Sequence, residues 1–361
     1  MTNYIDEFRD KAVIQKIVDC LQLYSGRNLK IMEVCGTHTM AISRYGLRSL
    51  LPKNIELLSG PGCPVCVTPT GYVDSAVELS ENRNVIITTF GDMMRIPGNN
   101  STLLYKKAQG CNVQMVYSPL NSLEIAKANP EKEVVFLSVG FETTTPVIAL
   151  SVLKAKEEGI KNFSVLTANK TMPEAVKALA GDRELALDGF IYPGHVSAII
   201  GTDFFSNVAY NMEKAGVIAG FEPLDILYSI NVLLKNITEG KHVLENVYSR
   251  IVSKEGNTKA QEKMYQVFEP VDEVWRGIGM IPGSGLGLRK SYEAYDAMKK
   301  FDIKPKESPE PKGCQCGEVL KGKKRPHDCK LFKTKCTPEN PVGACMVSSE
   351  GTCAAYYKYG D

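Results

Sequence analysis

The chain has 361 residues, enough for two or three domains that each bury a hydrophobic core. Its apolar fraction of 43% and charged fraction of 23% are ordinary for a globular protein, and its formal net charge of +2 gives no general attraction to nucleic acid or membrane surfaces. A polar N-terminus without signal-peptide order and the lack of any run of about 18 apolar residues predict a cytoplasmic protein that binds neither nucleic acid nor membrane.

The first predicted element is an amphipathic helix over residues 4–25. From residue 29 to about residue 220, short apolar runs alternate with helical segments. Eight runs predict strands: LKIMEV, IELLS, NVIITTF, NVQMVY, EVVFLSV, FSVLTA, GFIYP and GVIAGF. Near-continuous apolar strands that alternate with helices are typical of parallel sheets covered on both faces. A break near Asn129-Pro130 predicts two four-stranded α/β units.

Beyond residue 222 the pattern changes to helical segments, LDILYSINVLLKNITEG and NTKAQEKMYQVFEPV, and then to a glycine-rich turn, IPGSGLGLR. The turn lacks the context of a phosphate-binding loop and predicts no nucleotide site. A proline- and lysine-rich connector, KPKESPEPKG, precedes a cysteine-rich C-terminal segment that is too poor in apolar residues to fold on hydrophobicity alone. The predicted domains are 1–130, 131–222 and 223–361.

Cysteine is the unusual residue in this composition. The chain has eleven cysteines, an odd number, and six of them lie between Cys314 and Cys353. Structural disulfides are rare in the cytoplasm, so this content predicts metal or redox chemistry. The C-terminal group has no paired CxxC knuckles of the zinc-ribbon kind, and its long irregular spacings favour an iron–sulfur cluster. Spacing alone does not choose four ligands among six cysteines.

Four unusual turns follow predicted strands: CGTHT at 35–39, GPGCPVC at 60–66, GFETT at 140–144 and PGH at 193–195. Ligands of parallel α/β sheets bind beyond the carboxyl ends of the strands, so the four turns together predict a lined cleft. Within GPGCPVC, Cys63 and Cys66 could form a disulfide or, with further ligands, hold a metal.

Cys35 directly follows a strand and precedes a glycine, so we expect an exposed sulfur at a loop. A helix that begins near Thr37, together with a protonated His38, would favour its thiolate. His38 fits a core or capping role equally well, and a site role for His195 is weaker. For Glu142 we favour capping of the helix that follows it.

These motifs, and the tail CTPENPVGACMVSSEGTCAAYY at 336–357, resemble the HypD family along essentially the whole chain and in the family's order. The resemblance implies two Rossmann-like α/β domains and a C-terminal domain that holds a [4Fe–4S] cluster. The family's C-x14-C-x6-C-x16-C spacing falls on Cys314, Cys329, Cys336 and Cys353, which are therefore the implied cluster ligands.

The resemblance also implies roles for the remaining motif cysteines. Cys316 and Cys345 correspond to a redox dithiol beside the cluster, and Cys63 and Cys66 to a second one. Cys35 corresponds to the thiol that binds iron at the cleft.

Members of the HypD family act with a small partner, HypC, whose N-terminal cysteine also binds the iron. The iron gains two cyanides, delivered through HypE, and one carbon monoxide, and then passes to the hydrogenase large subunit. The implied function is thus maturation of [NiFe] hydrogenases, as an assembly scaffold with redox activity. Thiolates are suitable soft ligands for such iron.

Two alternatives use the same residues. The first is an iron–sulfur-linked thiol–disulfide oxidoreductase in which Cys63 and Cys66 act on protein disulfides. The second is a binding module stabilised by a zinc site of Cys35, His38, Cys63 and Cys66. The colour of the purified protein distinguishes the zinc-stabilised module from the two iron–sulfur functions, because zinc proteins are colourless and [4Fe–4S] proteins are brown.

Overall fold

A computed structural model describes residues 6–304 and 309–360. Part of the predicted connector and residues 4–5 of the predicted first helix lie outside these ranges. The strands are β1 Leu29–Glu33, β2 Ile55–Ser59, β3 Val85–Thr89, β4 Val113–Met115, β5 Glu133–Ser138, β6 Phe163–Thr167, β7 Asn169–Lys170, β8 Gly189–Pro193, β9 Ala215–Ala219, β10 Leu244–Asn246, β11 Phe268–Trp275 and β12 Gly279–Leu288.

Helices connect almost all of these strands. The α-helices are α1 Lys11–Gln22, α2 Gly36–Arg44, α3 Thr70–Ser80, α4 Leu103–Ala108, α5 Pro119–Ala128, α6 Thr145–Glu157, α7 Met172–Gly181, α8 Gly194–Ile200, α9 Asp203–Asn211, α10 Pro223–Thr238, α11 Thr258–Val267, α12 Ala297–Lys300, α13 Cys316–Leu320 and α14 Thr352–Tyr359. Short 3-10 helices cover Asp6–Arg9, Leu47–Leu50, Gly91–Arg95, Lys290–Tyr295, Pro326–Asp328 and Ala344–Met346. Each helix of the described part is too short or too polar to cross a bilayer.

Two parallel sheets form the body of the molecule, as the apolar runs predict. The first has the order β10-β9-β8-β1-β2, and the second has the order β4-β3-β5-β6. Strands such as β3, β8 and β9 are buried at every residue, because helices cover both faces of each sheet. The α/β class and the eight predicted strands are confirmed.

The grouping of the strands differs from the prediction. The chain leaves the first sheet after β2, builds the whole second sheet from β3 to β6, and returns to the first sheet at β8, which pairs with β1. The predicted break at Asn129-Pro130 therefore falls inside the second sheet, and the pairing cuts across the predicted ranges 1–130 and 131–222. Strands of similar length and apolarity do not reveal from their own residues which strand they will pair with. The insertion of the second sheet between β2 and β8 is therefore decided by tertiary packing.

Two segments beyond residue 222 also differ from the prediction. The segment predicted as helical up to residue 271 ends its helix at Val267 and continues as strand β11. The predicted glycine-rich turn IPGSGLGLR lies mainly in β12, which pairs antiparallel with β11 and then with the short β7. Backbone pairing between the two strands overrides the weak strand preference of glycine.

The centre of the second sheet offers a test of its core. Phe136 in β5 is fully buried and packs edge-to-face on Phe90, with ring centroids 5.3 Å apart. Phe136→Ala should lower the free energy of unfolding by about 3–5 kcal/mol through lost burial and the cavity left behind. Tyr117→Ala is the matched control, since Tyr117 is 89% exposed and should change stability by less than about 0.5 kcal/mol. Urea unfolding followed by circular dichroism measures both, and equal midpoints would contradict this packing.

Candidate functional site

The order of the first sheet places three of the four motif turns side by side. PGH follows β8, CGTHT follows β1 and GPGCPVC follows β2, and these strands are neighbours in the order β8-β1-β2. GFETT follows β5 in the second sheet, and its Phe141 stacks on Trp275 with ring centroids 5.7 Å apart. Phe141 belongs to the same apolar core as Cys63 and Cys66.

The Cys35 and Cys63 loops touch through their backbones. The Gly36 N–H donates to the Gly62 carbonyl at 3.0 Å. A Cβ atom added at Gly62 would lie 2.6 Å from Cys35 Cα, closer than real carbon atoms approach. Only glycine therefore allows the CxxC loop to lie directly on the Cys35 motif.

Cys35 is the N-cap residue of α2, which begins at Gly36, one residue before the predicted start near Thr37, and Cys35 is only 6% exposed. The expected exposed sulfur is therefore wrong. Burial, with smaller contributions from Glu350 and Glu33, raises the pKa of Cys35 to about 12, so the thiol keeps its proton at neutral pH. The helix N-terminus does not outweigh the loss of solvation.

His38 does not supply the positive charge that the sequence analysis expects. Its side chain is fully buried, and burial lowers its pKa to about 4, so it is neutral. Its Nε2 lies 2.9 Å from the Gly220 carbonyl, which can only accept, so Nε2 carries the proton. The ring packs on Phe221, whose ring also stacks on the exposed His195 at 4.1 Å.

Glu33 was not identified from the sequence. It is fully buried at the end of β1, where Oε2 accepts the Cys35 N–H at 3.0 Å and Oε1 accepts the Thr39 hydroxyl at 2.5 Å. These bonds hold the turn between β1 and α2. An acidic residue within the apolar run LKIMEV is the signal that could have identified it.

Cys63 and Cys66 lie in one turn and are 2% and 0% exposed. The Cys66 N–H points at Cys63 Sγ at 3.3 Å. The Cys66 thiol also interacts with the thiol of Cys345, and burial raises the pKa of Cys66 well above its usual range. The GPGCPVC turn is thus joined to the C-terminal segment.

Cys345 connects three cysteines. Its side chain is fully buried and interacts with the thiols of Cys316, Cys353 and Cys66. Hydrogen bonds from these three thiols lower the pKa of Cys345, because they stabilise its thiolate against the cost of burial. Cys63, Cys66, Cys345, Cys316 and Cys353 therefore form a series of neighbouring free thiols.

A single pocket gathers most of the C-terminal cysteines. It is lined by Cys314, Cys316, Cys329, Cys336 and Cys353, with apolar Val319, Leu331, Phe332 and Met346. The four implied cluster ligands all line this pocket, and Cys345 does not.

Backbone groups and a glycine shape the pocket around its sulfurs. The Val342 N–H donates to Cys336 Sγ at 3.3 Å. A Cβ at Gly343 would lie 2.6 Å from Cys314 Sγ, so glycine makes room for the sulfurs there.

The donor set of this pocket fits an iron–sulfur cluster. Soft thiolates that converge in an apolar pocket and accept backbone hydrogen bonds are the usual surroundings of such clusters. Within residues 6–304 and 309–360, no three Cys, His, Asp or Glu side chains converge as ligands of one metal ion. A cluster does not need such convergence, because each thiolate binds a different iron. The choice of Cys314, Cys329, Cys336 and Cys353 as ligands stays a prediction.

The same geometry bears on the sites predicted from the first two motifs. Cys35, Cys63 and Cys66 lie on adjoining loops without converging as three ligands of one ion. Nor does His38 complete such a group: its Nε2 donates to the Gly220 carbonyl, and its Nδ1 has no hydrogen-bond partner within the described residues. Their metal-binding roles stay predictions, and any iron at Cys35 needs ligands from elsewhere.

Glu142 caps a helix other than the expected one. Thr144 is the N-cap of α6, whereas Glu142 Oε1 accepts the N–H of Met172, the first residue of α7, at 3.0 Å. Burial raises the pKa of Glu142 to about 7, and Oε2 has no hydrogen-bond partner within the described residues.

Comparison with known proteins places these motifs in context. The chain matches the family HypD, described as "Hydrogenase formation hypA family", over residues 10–360. It is 45% identical to the hydrogenase maturation factor HypD of Cupriavidus necator over 99% of this chain and 97% of that protein. It is 45% identical to HypD of Rhodobacter capsulatus over 99% and 98%, and 44% identical to HypD of Azotobacter vinelandii over 99% and 97%.

Glu142 generates a prediction about pH. Its pKa rises from 4.5 in the unfolded chain to about 7 when folded. The folded protein holds this proton, so stability is full below pH 4.5 and falls as the pH rises to about 7. Glu142→Gln keeps an acceptor for Met172 and removes the ionisation. The wild type should therefore lose about 3 kcal/mol of its free energy of unfolding between pH 4.5 and pH 8 through this group, and the variant should not show that loss.

Urea unfolding of both proteins across pH 4.5–8 measures this difference. Glu174→Gln serves as a control, because Glu174 is a half-buried carboxylate on α7 that pairs with Lys177, and loss of this pair should change stability by only about 0.5 kcal/mol. Parallel profiles for the wild type and Glu142→Gln would show that Glu142 ionises normally in the folded state.

Proposed function

Because the chain belongs to the HypD family of hydrogenase maturation factors, we propose that it is the scaffold on which the iron of a [NiFe] hydrogenase gains its cyanide and carbon monoxide ligands. A small HypC-like partner completes the scaffold, a HypE-like protein delivers cyanide, and the hydrogenase large subunit receives the product. The observation that carries this proposal is the series of neighbouring buried thiols between the C-terminal pocket and the loop that touches Cys35.

Cys35 is the thiol that binds the iron cargo. Its position at the end of β1, beside the CxxC loop, supports this role. Because its own loop provides too few converging ligands, the partner must contribute to the iron's coordination. Glu33 holds the turn through the Cys35 N–H and so fixes where the sulfur lies.

The remaining cysteines hold and move electrons. Cys314, Cys329, Cys336 and Cys353 would bind a [4Fe–4S] cluster, which when present supplies electrons one at a time. A dithiol that becomes a disulfide releases two electrons and two protons, so the Cys316–Cys345 and Cys63–Cys66 pairs can store electrons in twos. Cys345 contacts both Cys316 and Cys66, which allows exchange between the pairs. The electrons reach Cys63 and Cys66 beside Cys35, where cyanide attachment consumes them.

Burial of the thiols argues against the two alternatives. A protein disulfide could not reach Cys63 or Cys66, which are 2% and 0% exposed, so an oxidoreductase that acts on other proteins is disfavoured. A Cys3His zinc site is disfavoured because, within the described residues, no three of Cys35, His38, Cys63 and Cys66 converge as ligands of one metal ion.

Two cysteines in one pocket test the cluster assignment. Cys314→Ala should remove the brown colour, iron and sulfide of anaerobically purified protein, because it removes an implied ligand. Cys316→Ala should keep them, although both residues line the same pocket. Iron and sulfide analysis with absorbance spectra measures both variants. Iron kept by the Cys314 variant and lost by the Cys316 variant would overturn the assignment.

Cys35→Ala tests the cargo site. It should abolish hydrogenase maturation and the infrared bands of cyanide and carbon monoxide in the complex with the HypC-like partner. The cluster colour should remain, because its ligands lie in a separate pocket. Loss of one buried sulfur should cost only about 1–2 kcal/mol of stability. Cys20→Ala, at an exposed position in α1, is the control for cysteine loss. Persistent bands in the Cys35 variant would place the iron elsewhere.

A further inference from the structure

The buried sulfur of Cys35 is covered by the C-terminal segment. An ideal Cβ at Gly36 would lie 2.5 Å from Glu350 Cβ and 2.6 Å from the Glu350 carbonyl oxygen, so Glu350 lies directly on the first turn of α2. The Thr37 hydroxyl donates to Glu350 Oε1 at 2.7 Å. Glu350 therefore covers the residues that directly follow Cys35, and its displacement would expose this side of the Cys35 turn.

Glu350 ends a compact turn that begins at Cys345, and we call residues 345–350 the C-terminal turn. Its internal bonds run from the Glu350 N–H to Ser348 Oγ at 3.3 Å and from the Gly351 N–H to the Ser348 carbonyl at 2.9 Å. Gly351 returns to the start of the turn, since a Cβ there would lie 3.1 Å from Cys345 Cα. Residues 344–348 are all buried. A displacement of Cys345 is therefore transmitted to Glu350.

The first residue of this turn, Cys345, carries the thiol that would be oxidised to a disulfide. Cys66 Sγ lies 3.8 Å from the carbonyl oxygen of Ala344, the residue before Cys345. The Cys345 thiol interacts with those of Cys66 and Cys316, neither of which is an implied cluster ligand. Sulfur atoms of a disulfide are about 2.0 Å apart, roughly 1–2 Å closer than two thiols in contact. A disulfide at Cys345 therefore draws the start of the C-terminal turn toward its partner.

We propose that Glu350 is a positioning residue that makes access to Cys35 depend on the thiol state of Cys345. With Cys345 reduced, the Thr37–Glu350 bond holds the cover over Cys35. With Cys345 linked to Cys66 or Cys316, the turn is drawn away, the bond is lost and Cys35 opens to cargo. This inference rests on the proposed function, in which Cys345 exchanges disulfides.

The chemical step balances when an oxidant takes up the two electrons. Two thiols lose their protons, one S–S bond forms, and two electrons pass to the oxidant. In the experiment the oxidant is diamide, a diazene that takes up the two electrons and two protons.

The test measures how fast iodoacetamide alkylates Cys35 in the full-length, anaerobically purified chain. Peptide mass spectrometry reports each cysteine separately, in dithiothreitol-reduced and in diamide-oxidised protein. Loss of one hydrogen bond changes a local opening equilibrium roughly two- to tenfold, so Cys35 should react roughly two- to tenfold faster in oxidised protein. Cys111, which lies outside the thiol series, is the internal control and should react equally fast in both states.

Variants at each end of the turn identify the cause. Thr37→Val and, independently, Glu350→Ala remove the bond, so Cys35 should react at the fast rate in both states. Thr37→Ser and Glu350→Gln keep a donor and an acceptor and should retain the wild-type dependence. Cys345→Ser cannot form the link and should react slowly in both states. A structural role alone would not make the effect of Thr37→Val depend on redox state.

The same peptide mass spectrometry distinguishes failure of this inference from failure of the proposed function. Equal Cys35 rates in a wild-type chain whose Cys345 is linked would overturn the coupling and leave the thiol relay intact. A full redox response in both Thr37→Val and Glu350→Ala would overturn it as well. If Cys66 and Cys345 both stay free after oxidation, the relay and the inference fail together.

Discussion

The close contact of three backbone segments is the constraint on which the site depends. Gly62 lies on Cys35, Gly36 lies against Glu350, and neither glycine has room for a side chain. This contact brings the CxxC loop, the Cys35 motif and the C-terminal segment together, although they are distant along the chain. A side chain at Gly62 or Gly36 would separate the thiol series from the residue that it is proposed to serve.

Burial gives the cysteines their chemical character. An apolar environment holds Cys35 and Cys66 protonated, since a buried charge without a partner is costly. Cys345 differs because other thiols surround it and stabilise its thiolate. The pKa of each thiol therefore depends on whether other thiols lie beside it as well as on its burial.

The nested topology explains how one region of the molecule collects motifs from both sheets. Strands β8, β1 and β2 are adjacent, so their three turns share one edge. The second sheet forms between β2 and β8, and its GFETT turn reaches the same core through Phe141 and Trp275. Motifs that are spread over residues 35–195 thus become neighbours.

The sequence by itself determined the α/β class, the eight apolar strands and the position of each motif turn at a strand's carboxyl end. These features depend on local periodicity and on turn residues, which can be recognised from the residues of each segment alone. The tertiary structure alone decided that β8 pairs with β1, that β11 and β12 form a hairpin, and that the thiol of Cys345 lies beside that of Cys66. It also decided that Cys35 is buried and His38 neutral. Strand partners and burial depend on contacts between distant segments, and no local pattern encodes which surface a residue will meet.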